Sequence, residues 1–157
     1  MPIFISHRQA DKQNADMLAK YFTQKGVPFY LDSLEPNLQS DKDITTKILE
    51  RLNLCTHLMA VVSKNTEGSW WVPFEIGAAT EKDHRISSLN WSNVSLPEYL
   101  QIWPVLKNQP HLDAYIELYK SDKETLVRQG LSTKAYSARV QTAADFHRLM
   151  KTYTGQP

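Results

Sequence analysis

LMAVVSKNTEGSWWVPFEI, Leu58 to Ile76, is the stretch on which the fold turns. Leu58 to Val62 is an uninterrupted apolar run, short enough for a strand and of the kind buried on both faces. A polar turn with Ser63, Asn65 and Gly68 follows. From Ser69 the chain reads SWWVPFEIGAATEK, a helix whose first turn tolerates Pro73. A buried strand feeding a helix is half of a parallel crossover unit, and the same alternation continues on either side.

Upstream, Ile3-Phe4-Ile5 is long enough only for a strand. Ala15, Leu18, Ala19 and Phe22 recur at helical spacing, and Gly26 stands where a helix stops. Val27 to Leu31 is β-rich and ends at Asp32 and Ser33. Asp43 is a plausible N-cap for a helix with Ile44, Ile48 and Leu52 on one face. Downstream, Ile86 to Leu89 reads as a fourth strand and Ile102 to Leu106 as a fifth, an edge because of Pro104. His111 to Tyr119 reads as a short helix and Val140 to Tyr153 as a closing one; Met17, Met59 and Met150 read as core. The expectation is an α/β fold with a central parallel sheet of about five strands and helices on both faces. With 157 residues and neither repeat nor linker, residues 1–157 read as one domain.

Composition narrows the partners. The 18 basic and 17 acidic residues are interspersed for a net charge of +1, so no nucleic-acid or membrane footprint stands out. There is no long charge-free apolar run, and MPIFISHRQ does not resemble a signal peptide. The lone Cys55 fits a reducing, cytoplasmic setting. A small-molecule ligand or a protein partner is the expectation.

In open parallel sheets, ligands bind outside the carboxyl ends of the strands, where the winding direction reverses. That rim would carry Ser6, His7 and Arg8 after the first strand, Asp32 after the second, and Ser63 to Trp70 after the third. Glu75 follows in the early turns of the next helix. The chain has five glycines and lacks the glycine-rich phosphate motifs and the nucleophile elbow of α/β-hydrolases. Its histidines show no metal-ligand spacing, so no metal site is expected. A phosphoryl receiver would need an acidic pair where Ser6-His7-Arg8 stands. One carboxylate with nearby aromatics, a serine and an arginine suits chemistry at a sugar's anomeric carbon, where oxocarbenium charge develops. The residues alone permit that chemistry without establishing it. Each also has a plainer reading: Glu75 as a solvated acid near a helix start, Trp71 as packing, Ser6 and Arg8 as strand-end capping. Asp11 suits a helix cap, and Ser63 and Asn65 suit turn stabilisation.

Four segments, in order, resemble the TIR (Toll/interleukin-1 receptor) domain family, which implies a flavodoxin-like α/β fold. IFISHRQAD is similar to the family's first strand ending in Ser6, with Arg8 and Asp11 behind it. VPFYLD resembles the second strand, and SLEPNLQSDKDITTKILERL the BB loop and second helix, without the usual Arg-Gly or Pro-Gly. LMAVVSKNTEGSWWVPFEI resembles the third strand and the S-x-W-x-x-x-E motif of enzymatic TIR domains, filled by Ser69, Trp71 and Glu75. The match is strongest over residues 1–83; residues 84–157 follow mainly in element order.

The resemblance implies a catalytic role for Glu75 in cleaving the nicotinamide–ribose bond of NAD+, which is substrate, with no separate cofactor. Ser6, His7, Arg8, Asp32, Ser69, Trp70 and Trp71 would bind substrate. Products would be nicotinamide with ADP-ribose, a cyclic isomer or a base-exchange conjugate. Such a chain resembles the bacterial TIR proteins of Thoeris-type antiphage defence, which make a nucleotide signal for a separate effector and self-associate through TIR–TIR contacts. Two other readings remain: a non-catalytic TIR scaffold, and an enzyme akin to nucleoside deoxyribosyltransferases.

Overall fold

In the computed structural model, residues 1–31, 41–131 and 142–157 are described. Strands β1 (Ile3–Ser6), β2 (Phe29–Leu31), β3 (His57–Val61), β4 (Arg85–Leu89) and β5 (Val105–Leu106) form one sheet in the order β2-β1-β3-β4-β5. Every pairing is parallel, with Ser6 opposite Ala60 and Ala60 opposite Ser88. This is the flavodoxin-like order, which reverses direction between β1 and β3. The expected α/β fold is thus the observed one.

Side-chain alternation along the strands splits the core in two. Ile3, Ile5, Met59 and Val61 pack with α1 (Lys12–Gln24), α5 (Gln109–Leu131) and α6 (Ala143–Thr154), whose contributions include Leu18, Phe22, Tyr115 and Phe146. Phe4, Leu58, Ala60 and Ile86 pack on the other face with α2 (Asp41–Asn53) and α3 (Trp71–Glu81), through Ile48, Leu52, Val72 and Ile76. His84, just after α3, ties these two helices together. Its ring lies 3.1 Å from the Ala79 carbonyl, 3.1 Å from that of Leu52 and 2.7 Å from that of Cys55. Among the described residues no helix is long and apolar enough to cross a membrane.

Several boundaries differ from the expectation. β2 begins at Phe29, because Pro28 has no N–H to give the ladder and contributes its carbonyl to Ile3 instead, at 2.9 Å. α2 begins at Asp41, so Asp43 lies inside its first turn and not at its cap. β5 starts only after Pro104. A short helix α4 (Glu98–Gln101) precedes it, and α5 continues twelve residues past Tyr119. α6 starts at Ala143, capped by the Thr142 hydroxyl, which accepts from the Asp145 N–H at 3.1 Å. Val140, like Asp32 and Ser33, falls outside the described residues. Met17 is 45% exposed and not core, whereas Met59 and Met150 are fully buried.

Candidate active site

Helix α3 buries Val72, Glu75, Ile76 and Ala79, spaced as one sheet-facing stripe. Glu75 therefore occupies a core position, with 1% of its surface exposed. A solvated surface acid is excluded. A carboxylate in such a place needs hydrogen-bond donors, since burying the charge without them costs several kcal/mol or more, on the order of an isolated ion's desolvation. One donor is Ser6, whose hydroxyl bonds Glu75 Oε2. Ser6 ends β1 on the α3 side of the sheet. The residue between it and Ser88 across the register is Ala60, and all three are completely buried. A row of two hydroxyls and a methyl provides a shallow polar floor where bulky residues would fill the space.

The start of α3 is held by two clamps from the β1–α1 connection. Arg8 Nη1 donates to the carbonyls of Asn65 at 2.5 Å and Glu67 at 3.1 Å. The buried Asp11 Oδ1 accepts from Ser63 Oγ at 2.6 Å and from Asn65 Nδ2 at 3.1 Å. Between the clamps, Ser63 caps a 3-10 turn, Lys64–Thr66. Its hydroxyl accepts from the Asn65 N–H at 2.9 Å, while Thr66 Oγ1 accepts from its N–H at 3.0 Å. Ser63 and Asn65 thus stabilise the turn as their residue types suggest. Asp11 makes no side-chain cap on α1; its carboxylate is committed across the fold to the β3–α3 turn. That cross-strand role had no signal in the local sequence, because Ser63 lies 52 positions away.

The remaining candidates divide into near and remote. His7 is buried immediately after β1. Ser69 sits just ahead of α3, and its Oγ accepts from the Val72 N–H at a long 3.4 Å. Trp71 is half-buried against the α2–α3 core and meets Phe74 edge-on, with ring centroids 5.9 Å apart. Trp70 is 89% exposed, so its indole is available at the head of the helix. The structure brings Ser6 and Glu75 into contact and places Arg8 on backbone carbonyls of the neighbouring turn. Asp32 lies outside the described residues.

A family model described as TIR domain matches residues 3–129, most of the chain. A Bacillus cereus (strain MSX-D12) protein named probable 3' cyclic ADP-D-ribose synthase ThsB' is 31% identical over 80 residues. That alignment covers 48% of this chain and 41% of the relative, so it spans less than half the length of either.

Proposed function

The chain belongs to the TIR domain family, and from that premise we propose that it cleaves the nicotinamide–ribose bond of NAD+ with Glu75 as the catalytic carboxylate. The observation that carries this reading is a carboxylate built into the sheet-facing stripe of α3, hydrogen-bonded to Ser6 beside the β1–β3 reversal. A helix has no packing reason to place an acid there. As the C–N bond breaks, nicotinamide leaves with the bonding electron pair and positive charge grows on the ribose. Glu75 stabilises that charge. Water then attacks the anomeric carbon and loses its proton, giving ADP-ribose. Attack by one of the substrate's own hydroxyls would close a cyclic isomer, the product class named for the Bacillus cereus relative.

Ser6 becomes a positioning residue in this scheme, orienting the carboxylate, while Trp70 and Trp71 offer faces for a flat ring. A signalling role in antiphage defence, self-association through TIR–TIR contacts and a downstream effector that senses the product belong to the same proposal. The scaffold reading has its own support, because a buried, hydrogen-bonded Glu75 also suits a purely structural role.

Glu75→Gln separates the two, since the amide keeps the side chain's size and an oxygen for the Ser6 hydroxyl. Purified wild type is expected to release nicotinamide from NAD+, and Glu75→Gln to lose activity by on the order of a hundredfold or more while unfolding at a similar denaturant midpoint. Undiminished cleavage by a folded Glu75→Gln protein rules out the catalytic assignment. Parallel assays with deoxynucleosides test the deoxyribosyltransferase alternative.

A further inference from the structure

A cleft of about 460 Å³ opens at the carboxyl edge of the sheet, beside the start of α1. Three segments at the carboxyl ends of the strands wall it: Asp11 and Asn14 after β1, Ser63, Lys64 and Asn65 after β3, and Ser92 after β4. Strand alternation turns Ser63 of this cleft away from Ser6. Ser63 continues the parity of Met59 and Val61, which face α1, whereas Ser6 shares that of Phe4, which faces α3. The volume falls in the range of small-molecule sites, roughly 300–1,000 Å³.

Its walls are pinned without any ligand. The Asp11 and Arg8 clamps fix the second segment to the first. The third is held by Asn90, itself 2% exposed: its Nδ2 donates to the Val94 carbonyl at 2.9 Å and its Oδ1 accepts from the Val94 N–H at 3.0 Å. This bracket carries the loop through Asn93, whose φ of 48° is a left-handed conformation that asparagine tolerates. Preformed walls of this kind lower the ordering cost of binding.

The donor and acceptor inventory identifies a ligand class. Asp11 is 3% exposed, and its Oδ1 takes both hydrogen bonds while its Oδ2 takes none. A buried carboxylate oxygen in that state favours a ligand bringing hydroxyl donors. Metal coordination is disfavoured, because among the described residues no three His, Cys, Asp or Glu side chains gather as a ligand set. A ribose offers two adjacent hydroxyls, the group that a carboxylate recognises at the equivalent edge of dinucleotide-binding sheets. Lys64 lines the same cleft and is exposed, so its ammonium is available to an anionic group of a ligand seated there. Asn14 and Asn65 add amides that suit a base edge.

We propose that this cleft is a second ligand site, separate from Glu75, that takes a mononucleotide, with its ribose hydroxyls toward Asp11 and its phosphate toward Lys64. The assignment stands independently of NAD+ cleavage and is tested by binding alone.

AMP titrated into the purified chain by calorimetry is the probe, with 2'-deoxy-AMP as comparison. AMP is expected to bind in the micromolar-to-millimolar range, and 2'-deoxy-AMP about tenfold more weakly, for the loss of one hydrogen bond to a carboxylate. Asn14→Leu, which fills the cleft from a half-exposed helix position, and Lys64→Ala, on an exposed turn, should each weaken AMP by about tenfold or more. Glu75→Gln should leave AMP affinity unchanged. Circular dichroism establishes that the variants fold. Absence of AMP binding into the millimolar range overturns the proposal. So does binding that Glu75→Gln abolishes while Asn14→Leu and Lys64→Ala preserve it, since AMP would then occupy the Glu75 side. Activity on NAD+ can fail or succeed without altering either outcome.

Discussion

Glu75 shows how much one residue's surroundings can reverse its apparent meaning. Its spacing from Ser69 and Trp71 is readable in the sequence, but its burial depends on Ser6, 69 positions earlier, lying across from it. No local pattern carries that information. Met17 is the opposite case. Read by type it is a core residue, yet the buried stripe of Ala15, Leu18, Ala19 and Phe22 leaves it turned outward, and the 3.6-residue period already implies this. Cys55 yields a prediction at the same scale. Burial pushes its thiol up to about 12, so almost no thiolate exists at neutral pH. The folded chain should resist an aromatic disulfide reagent and react only when denaturant is added. Rapid native labelling would contradict this. Trp70 behaves differently: with its indole exposed, Trp70→Ala should change unfolding stability by no more than about 0.5 kcal/mol by urea titration. A larger loss would mean that the indole is packed in solution.

Helix α3 is delivered to the site by a turn that belongs to another part of the chain. Asp11 and Arg8 hold its entry, so the approach of Glu75 to Ser6 depends on contacts made before α1 begins. Asp11→Ala removes the acceptor for the Ser63 hydroxyl and the Asn65 amide. A cost of about 1–3 kcal/mol is expected from equilibrium urea unfolding. Ser63→Ala removes one of those bonds and should cost less; equal stability for wild type and Asp11→Ala would show that the clamp contributes nothing. The elements themselves were legible where hydrophobic period and length agreed, as in β1, α1, β3 and α3. They were less so where a helix outlasts its apolar pattern. Beyond Tyr119 the sequence turns polar, SDKETLVRQG, yet α5 continues to Leu131. Helix propagation adds a hydrogen bond for each residue fixed, so a helix can outlast the apolar pattern that marks it in the sequence.

At the scale of the whole molecule, the amino edge of the sheet carries a charged network remote from the candidate site. Arg85 Nε lies 3.0 Å from Asp122 Oδ2, and His57 Nε2 lies 3.3 Å from the same oxygen, all three side chains being buried or nearly so. Burial outweighs the pull of Asp122 and lowers the pKa of His57. Beside them, burial and then the Arg85 charge push His147 down to about 4, while its Nε2 accepts from the Ile86 N–H at 2.8 Å. Both imidazoles are held neutral in the fold and regain an ordinary value near 6.5 on unfolding. The unfolded chain thus binds more protons from about pH 6.5 downward, and for His147 the extra uptake ends near pH 4. Stability should fall with acid across that window. Urea midpoints are expected to be lower at about pH 5 than at about pH 7.5, with His147→Gln showing a smaller difference. A difference unchanged in His147→Gln would remove that histidine from the account.

The parallel sheet is readable from alternating elements, because crossovers join parallel strands, and its flavodoxin-like order from the family resemblance, whereas this network joins positions scattered from 57 to 147 and has no sequence signature. The sheet's outer strand β5 has a further consequence. It has two residues and follows directly on Pro104, too little to offer a neighbouring chain a continuous ladder of free amides and carbonyls. Copies of this domain are thereby discouraged from pairing through that edge, which leaves recognition there to the helices and loops around it, where side-chain identity chooses the partner.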